Sequence, residues 1–275
     1  MYVAIDIGGR HVRIATSELL DNPTFSQIQK FPITNNYAQD LAAIISTITS
    51  LKNDSPIDAI GIGFPGVISK EDTRILKAPN LSDWIDKPFA QDIERAFHTQ
   101  VSLENDTTNA ALAEATYGYG KGKTFLYLTW GTGFDGATVV HVGDEITVAQ
   151  FEAGHHIIEW KNGKLCGCGQ RGCAEAYIGG GNIEKYFQKV PSALTQDEWN
   201  IVENYAANTL LNIVIFHPTS LVILGGGVAI HQKDRVDRIK EKVKERLTLY
   251  PLPEIRITSL GDNIGLYGAL ALLKK

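Results

Sequence analysis

The chain has 275 residues, of which 44% are hydrophobic and 21% charged, with a formal net charge of −5. That is ample apolar material for a core, and the acidic balance argues against a basic nucleic-acid-binding face. No apolar run approaches the roughly 18–20 residues of a membrane span, and the first predicted strand begins at Tyr2, so the expectation is a cytoplasmic protein with no leader and no membrane partner.

YVAIDIGG (2–9) is an apolar run ending in two glycines, and HVRIATS (11–17) alternates, so the pair predicts a hairpin that turns at Gly8-Gly9. A third strand is expected near 25–32, followed by a helix over 37–51, where the apolar spacing is helical. DAIGIGFPG (58–66) reads as a buried strand running into a Gly-Pro-Gly-type loop, 88–98 as an amphipathic helix, 101–106 as a strand and 107–118 as a helix. The small-residue stretch 118–123 marks a domain crossover, after which the pattern restarts. TFLYLTWGTG (124–133) is again a strand running into a glycine loop, and 137–148 reads as a hairpin turning at Gly143. Short helical pieces lie in CAEAYIGG and NIEKYFQKV, a long helix covers 196–217, and LVILGGG (221–227) is a buried strand ending in three glycines. A charged helix over 234–250, a strand over 254–260 and a helix over 263–273 close the chain. Core packing is the expected use of the long helix. The alternation of strands and helices implies α/β layering, and the repeated hairpin-with-glycine-turn opening suggests a weak internal duplication.

All three cysteines fall within CGCGQRGC (166–173). An odd number excludes a complete disulfide framework, and cytosolic thiols stay reduced. Cys166, Cys168 and Cys173 instead offer three soft ligands on a tight loop, and zinc takes four from thiolate and imidazole. His155 and His156, eleven and ten residues before Cys166, are the candidates for the fourth. Three glycine clusters, 8–9, 131–133 with 136, and 225–227, follow strands. Glycine lets backbone N–H groups approach a phosphate closely, and a cluster that opens a helix suits a nucleotide. Neither GxxxxGK[ST] nor GxGxxG is present, which argues against the P-loop and dinucleotide classes. Asp106 stands between a strand and a helix, where it is either an N-cap or a general base for phosphoryl transfer.

Taken in order, these residues resemble the ROK family of sugar kinases and sugar-responsive repressors over nearly the whole chain. DIGGR (6–10), GIGFPG (61–66), KAPNLSDW (77–84), ENDTTNAALAE (104–114), FEAGHH (151–156), CGCGQRGCAEAY (166–177), LGGGVA (224–229) and LGDNIGLYGAL (260–270) are each similar to a family motif. The resemblance implies a two-lobed actin-like ATPase (ribonuclease H-like) fold with a central cleft. The N-terminal α/β lobe would be 1–117 joined by the C-terminal helix at about 262–275, and the C-terminal lobe would be 118–261 with a zinc loop at 155–173. It implies transfer of the γ-phosphoryl group of ATP, with Mg²⁺, to a hexose hydroxyl, with Asp106 as the base. Gly66, Asn105, Asp106, Glu152, His155 and Glu175 would contact the sugar. Asp6, Gly8, Gly9, Arg10, Gly131, Thr132, Gly133, Gly225, Gly226 and Gly227 would face the nucleotide. His155, Cys166, Cys168 and Cys173 would hold a structural zinc, and the family resemblance implies a homodimer.

Three departures stand out. Arg10 replaces the threonine of the family's first phosphate loop, Asp135 replaces a glycine of its second, and Asn105-Asp106-Thr107-Thr108 places Asn109 one position late. Arg10 and Asp135 are expected to pair and close the phosphate site, or to serve it, Asp135 through Mg²⁺ and Arg10 through the transferring phosphoryl group. The alternative function is therefore a sugar-binding protein with weak or absent catalysis. A repressor is disfavoured, because only five residues precede Asp6 and the chain is acidic.

Overall fold

The structure is a computed structural model that describes residues 1–69, 71–78 and 81–274. In chain order the elements are β1 (Tyr2–Ile7), β2 (His11–Ser17), β3 (Ile28–Pro32), α1 (Tyr37–Lys52), β4 (Ala59–Phe64), β5 (Val67–Ile68), β6 (Ile75–Lys77), α2 (Phe89–Phe97), β7 (Gln100–Asn105) and α3 (Asp106–Tyr117). They continue with β8 (Phe125–Trp130), β9 (Phe134–Val142), β10 (Glu145–Phe151), α4 (Glu175–Ile178), α5 (Gly180–Phe187), α6 (Gln196–Phe216), β11 (Leu221–Gly225), α7 (Gly227–His231), α8 (Lys233–Arg246), β12 (Glu254–Ile257) and α9 (Ile264–Leu272). The chain divides into two compact units, Met1–Tyr117 with Asn263–Lys275, and Gly118–Asp262.

Each unit is built on a five-stranded mixed sheet, and the two share one topology. The orders are β3-β2-β1-β4-β7 and β10-β9-β8-β11-β12. In each, the first three strands form an antiparallel meander, and the first strand then pairs in parallel with a later one. The internal duplication is thus written in strand order.

In the first unit β1 is buried from Val3 to Ile7, as befits a central strand covered on both faces. Val3, Ile5 and Ile7 join the core that contains Ile44 and Ile48 of α1 and Phe89 and Ile93 of α2. Ala4 joins Ala15 in the cluster formed with Leu266, Ala269 and Leu270 of α9. Small residues on that second face let α9 lie close to the sheet. A Cβ on Gly61 of β4 would overlap the backbone carbonyl of Ala269. Gly61→Ala is therefore expected to destabilise the protein by about 3 kcal/mol or more through forced separation of helix and sheet, read as a fall in the urea midpoint.

In the second unit α6 starts with a capping box. Thr195 Oγ1 accepts from Glu198 N at 3.3 Å, and Glu198 Oε2 accepts from Thr195 N at 2.8 Å. The helix buries Trp199, Val202, Ala206, Leu210 and Ile213 in a core with Leu126 and Leu128 of β8, Leu224 of β11 and Ile239 of α8. This is the core-packing use expected of it.

Some boundaries differ from expectation. The helix foreseen to Tyr250 ends at Arg246, and Leu247 is extended; Pro251 and Pro253 follow closely and disfavour helical backbone in the residues before them. The strand foreseen to Leu260 ends at Ile257, where Thr258 Oγ1 accepts from Leu260 N at 3.0 Å and turns the chain. The β5–β6 hairpin and α7 were not anticipated. In KAPNLSDW, Pro79 and Asn80 lie outside the described residues, whereas Trp84 is wholly buried and donates to Asp40 Oδ2 at 3.4 Å.

Candidate active site and metal centre

The first unit carries two of the anticipated clusters. In the β1–β2 turn, Gly8 N donates to His11 O at 2.9 Å, and Arg10 O accepts from Ile33 N at 3.2 Å. A Cβ on Gly8 would meet nothing closer than 3.5 Å, and neither Gly8 nor Gly9 has a positive φ. The turn itself does not demand glycine at Gly8. Asp6 is buried and paired with Arg13, whose Nε donates to Oδ2 at 2.9 Å. The strand register predicts this contact, because Asp6 and Arg13 face each other across the hairpin.

The second cluster is the β7–α3 junction. Asn105 Oδ1 accepts from Thr107 N at 2.8 Å and Thr108 N at 3.1 Å, so Asn105 caps α3. Asn105 Nδ2 donates to Gly66 O at 3.1 Å, tying the cap to the loop after β4. That loop is tight: a Cβ on Gly66 would collide with the carbonyl of Lys77. Asp106 is the first helical residue, and its Oδ1 accepts from Thr107 N at 2.8 Å. The capping role open to Asp106 on sequence thus falls to its neighbour.

In the second unit the metal-ligand candidates converge. One ligand atom from each of His155, Cys166, Cys168 and Cys173 lies within 4.8 Å of the others. His155 Nδ1 is 3.6 Å from Cys166 Sγ, and Cys168 Sγ is 3.7 Å from Cys173 Sγ. A tetrahedron with zinc bond lengths has N–S and S–S edges of about 3.6 and about 3.8 Å, so the donor set fits such an ion. The loop geometry depends on glycine at Gly172, where φ is +82° and a Cβ would overlap the carbonyl of Glu159. Of the two candidate histidines, His155 is the one in the cluster. His156 turns away, its Nδ1 2.8 Å from Ala153 O, and burial lowers its pKa. Burial, with Cys168 and Cys166 beside it, pushes the Cys173 thiol up to about 12, and burial also raises Cys166. Burial opposes ionisation of Cys168 too, but the backbone N–H of Gln170 and the two neighbouring thiols outweigh it and bring that group to about 7.

His155 Nε2 lies 3.7 Å from Glu152 Oε2, and the Glu152 side chain is 65% exposed. Glu175 Oε1 lies 3.9 Å from Cys166 Sγ, while its Oε2 accepts from Phe134 N at 2.9 Å. The glycine loop after β8 rests on the same segment. Gly131 O and Thr132 O accept from Gly180 N and Gly181 N, both at 2.9 Å, so the loop satisfies first-turn N–H groups of α5. In a trans peptide the N–H points opposite the C=O, so these two bonds turn the N–H groups of Thr132 and Gly133 away from α5. Asp135 stands in β9, its Oδ1 accepting from Gly136 N at 2.8 Å and its Oδ2 from Gln150 Nε2 at 2.7 Å. The third glycine cluster joins β11 to α7. Gly226 has φ +84°, and a Cβ on Gly225 would overlap the Tyr127 hydroxyl.

A family profile described as "ROK family" matches residues 2–275. The chain belongs to the ROK family. Among its relatives are a glucokinase of Thermotoga maritima, 27% identical over 99% of this chain and 97% of that protein, and an N-acetyl-D-glucosamine kinase of Haemophilus influenzae, 25% identical over 99% of each. The ROK glucokinase of Streptomyces griseus, solved in complex with glucose and AMPPNP, superposes with a TM-score of 0.79 at 24% identity over 98% of each chain. The fold is accordingly the actin-like ATPase fold. Among the described residues no helix is long and apolar enough to cross a membrane.

Proposed function

We infer that this ROK protein is an ATP-dependent carbohydrate kinase that phosphorylates a hexose hydroxyl with Asp106 as general base. The observation that carries the reading is the division of labour at the β7–α3 junction. Asn105 takes the capping bonds, and the carboxylate of Asp106 stands beside it at the helix start. The sugar hydroxyl gives its proton to that carboxylate, its oxygen bonds to the γ-phosphorus, and the bond from γ-phosphorus to the bridging oxygen breaks to release ADP. ATP enters as its Mg²⁺ complex. The relatives named as glucokinase and N-acetyl-D-glucosamine kinase support a hexose acceptor.

Asn105, Gly66, Glu152, His155 and Glu175 are assigned to the sugar, and the glycine loops at 8–9, 131–133 and 225–227, with Asp6 and Arg10, to the nucleotide. His155 Nε2 and Glu152 Oε2 are too far apart for a direct hydrogen bond and are spaced to share one sugar hydroxyl. Zinc is the metal assigned to His155, Cys166, Cys168 and Cys173, because the donors are soft and their spacing is tetrahedral. Its role there is structural, fixing the loop that bears His155. The test is a coupled ADP-release assay over a panel of hexoses; no release with any of them removes the reading.

A second reading, sugar binding without transfer, is favoured by Asp135, an acidic group beside the assigned donor loop. Calorimetry separates the two: binding of sugar without an ATP analogue supports the second. On the kinase reading with Asp135 held by Gly136 N and Gln150 Nε2 rather than serving Mg²⁺, Asp135→Asn keeps an acceptor for Gly136 N and removes a negative charge. A unit charge about 5 Å from a phosphate contributes about 0.8 kcal/mol in water, so the KM for ATP is expected to fall about fourfold, measured at saturating sugar.

A further inference from the structure

The metal-binding loop and the glycine loop after β8 are joined through one short segment. Directly after Cys173, Ala174 N donates to His156 O at 3.0 Å and Glu175 N to Gly154 O at 2.8 Å. Gly179 N donates to Glu175 O at 2.9 Å, which carries the chain into α5. From this segment, contacts reach the glycine loop in succession: Trp130 Nε1 donates to Ile178 O at 2.7 Å, Gly180 N to Gly131 O, Gly181 N to Thr132 O, and Phe134 N to Glu175 Oε2. The other Glu175 oxygen faces Cys166 Sγ. A Cβ on Gly133 would come within 2.5 Å of Glu175 Oε2, so a larger residue there would displace the carboxylate.

We propose that Glu175 is a positioning residue for the phosphate donor: its carboxylate, seated beside a metal ligand, holds the Phe134 amide and thereby fixes the Gly131–Gly133 loop with the N–H groups of Thr132 and Gly133 presented to the donor. The metal centre then supports the donor half of the reaction as well as the sugar half. The proposal rests on the assignment of that loop to the nucleotide. Without the side-chain oxygen, the Phe134 N–H loses its partner, the loop samples other arrangements, and the donor must select the competent one.

The experiment compares the wild type with Glu175→Ala and Glu175→Gln, reading the dissociation constant of AMPPNP with Mg²⁺ in the absence of sugar. Glutamine keeps an oxygen for Phe134 N–H and an amide that can donate to the Cys166 sulfur; alanine keeps neither. Loss of one such bond corresponds to about tenfold or more in affinity. The expected result is AMPPNP binding weakened at least about tenfold in Glu175→Ala and restored to near wild type in Glu175→Gln, with unchanged metal content in both. Equal affinity in all three proteins overturns the proposal, as does Glu175→Gln binding as weakly as Glu175→Ala. A purely sugar-binding Glu175 gives the first of these outcomes. Should Glu175→Ala not fold, amide hydrogen exchange on the wild type decides. Stripping the metal is expected to speed exchange at Phe134, Gly180 and Gly181, and unchanged exchange overturns the link. A wild type that binds no AMPPNP removes the nucleotide assignment instead, and the exchange measurement still reports on the coupling.

Discussion

Asp106→Asn is expected to lower kcat by about 10²- to 10⁴-fold, the range for removing a general base, while leaving sugar affinity within a few-fold of the wild type. The substitution is close to isosteric. Asparagine keeps the oxygen that accepts from Thr107 N, and the cap of α3 is untouched because Asn105 supplies it. Loss of one negative charge at the helix N-terminus costs about 0.3–1 kcal/mol, too little to unfold the protein. The variant therefore separates proton removal from folding and from binding. Steady-state rates at saturating hexose and ATP, with calorimetric sugar binding on the same samples, give the readout. Full activity would remove Asp106 from the mechanism. A parallel loss of sugar binding would instead make it a binding group.

Much of this was legible in the sequence, for reasons that differ from element to element. The buried strands were visible because central strands read as unbroken apolar runs, as in YVAIDI and LVILG. The metal cluster was visible because three of its ligands lie within eight residues, so chain connectivity alone keeps them close. Choosing between His155 and His156 was not possible there. That choice is made by the bond of His156 Nδ1 with Ala153 O, which turns its ring away. The β7–α3 junction was visible as a place, yet Asn105 and Asp106 are both good caps, and only the coordinates show that Asn105 Oδ1 takes both Thr107 N and Thr108 N while Asp106 Oδ1 shares Thr107 N. The Asp6–Arg13 pair could have been found by counting outward from the Gly8-Gly9 turn; register was the missed signal. The contact between Glu175 and Phe134 joins residues 41 positions apart and leaves no trace in local pattern.

The other large expected effect concerns the metal. Cys168 is the exposed member of the cluster, whereas Cys166 and Cys173 are buried. Cys168→Ser therefore removes a ligand without opening a cavity. It is expected to abolish stoichiometric metal binding and to reduce kcat/KM by on the order of 100-fold or more, at the upper end of what losses around metal sites produce. Three of the loop's large apolar side chains face solvent, with Ile157 53%, Trp160 86% and Leu165 62% exposed, and its own strand-like pairing is two single bridges, Ile157 with Cys173 and Leu165 with Arg171. An ion held by these four ligands would add its binding energy to the folding of the loop. Cys166 and Cys173 belong to the core shared by the sheet and α6, with Ile158 packed against it, but most of that core comes from outside the loop, so far-ultraviolet circular dichroism should change little. The pH dependence follows from the thiols. Burial, with Cys168 and Cys166 beside it, lifts Cys173 to about 12, and burial raises Cys166 as well, so both must lose protons on binding. Metal uptake should weaken as pH falls, and it should release protons, measurable by calorimetry in buffers of different ionisation enthalpy. A Cys168→Ser protein that retains both metal and full activity would detach the cluster from the active site.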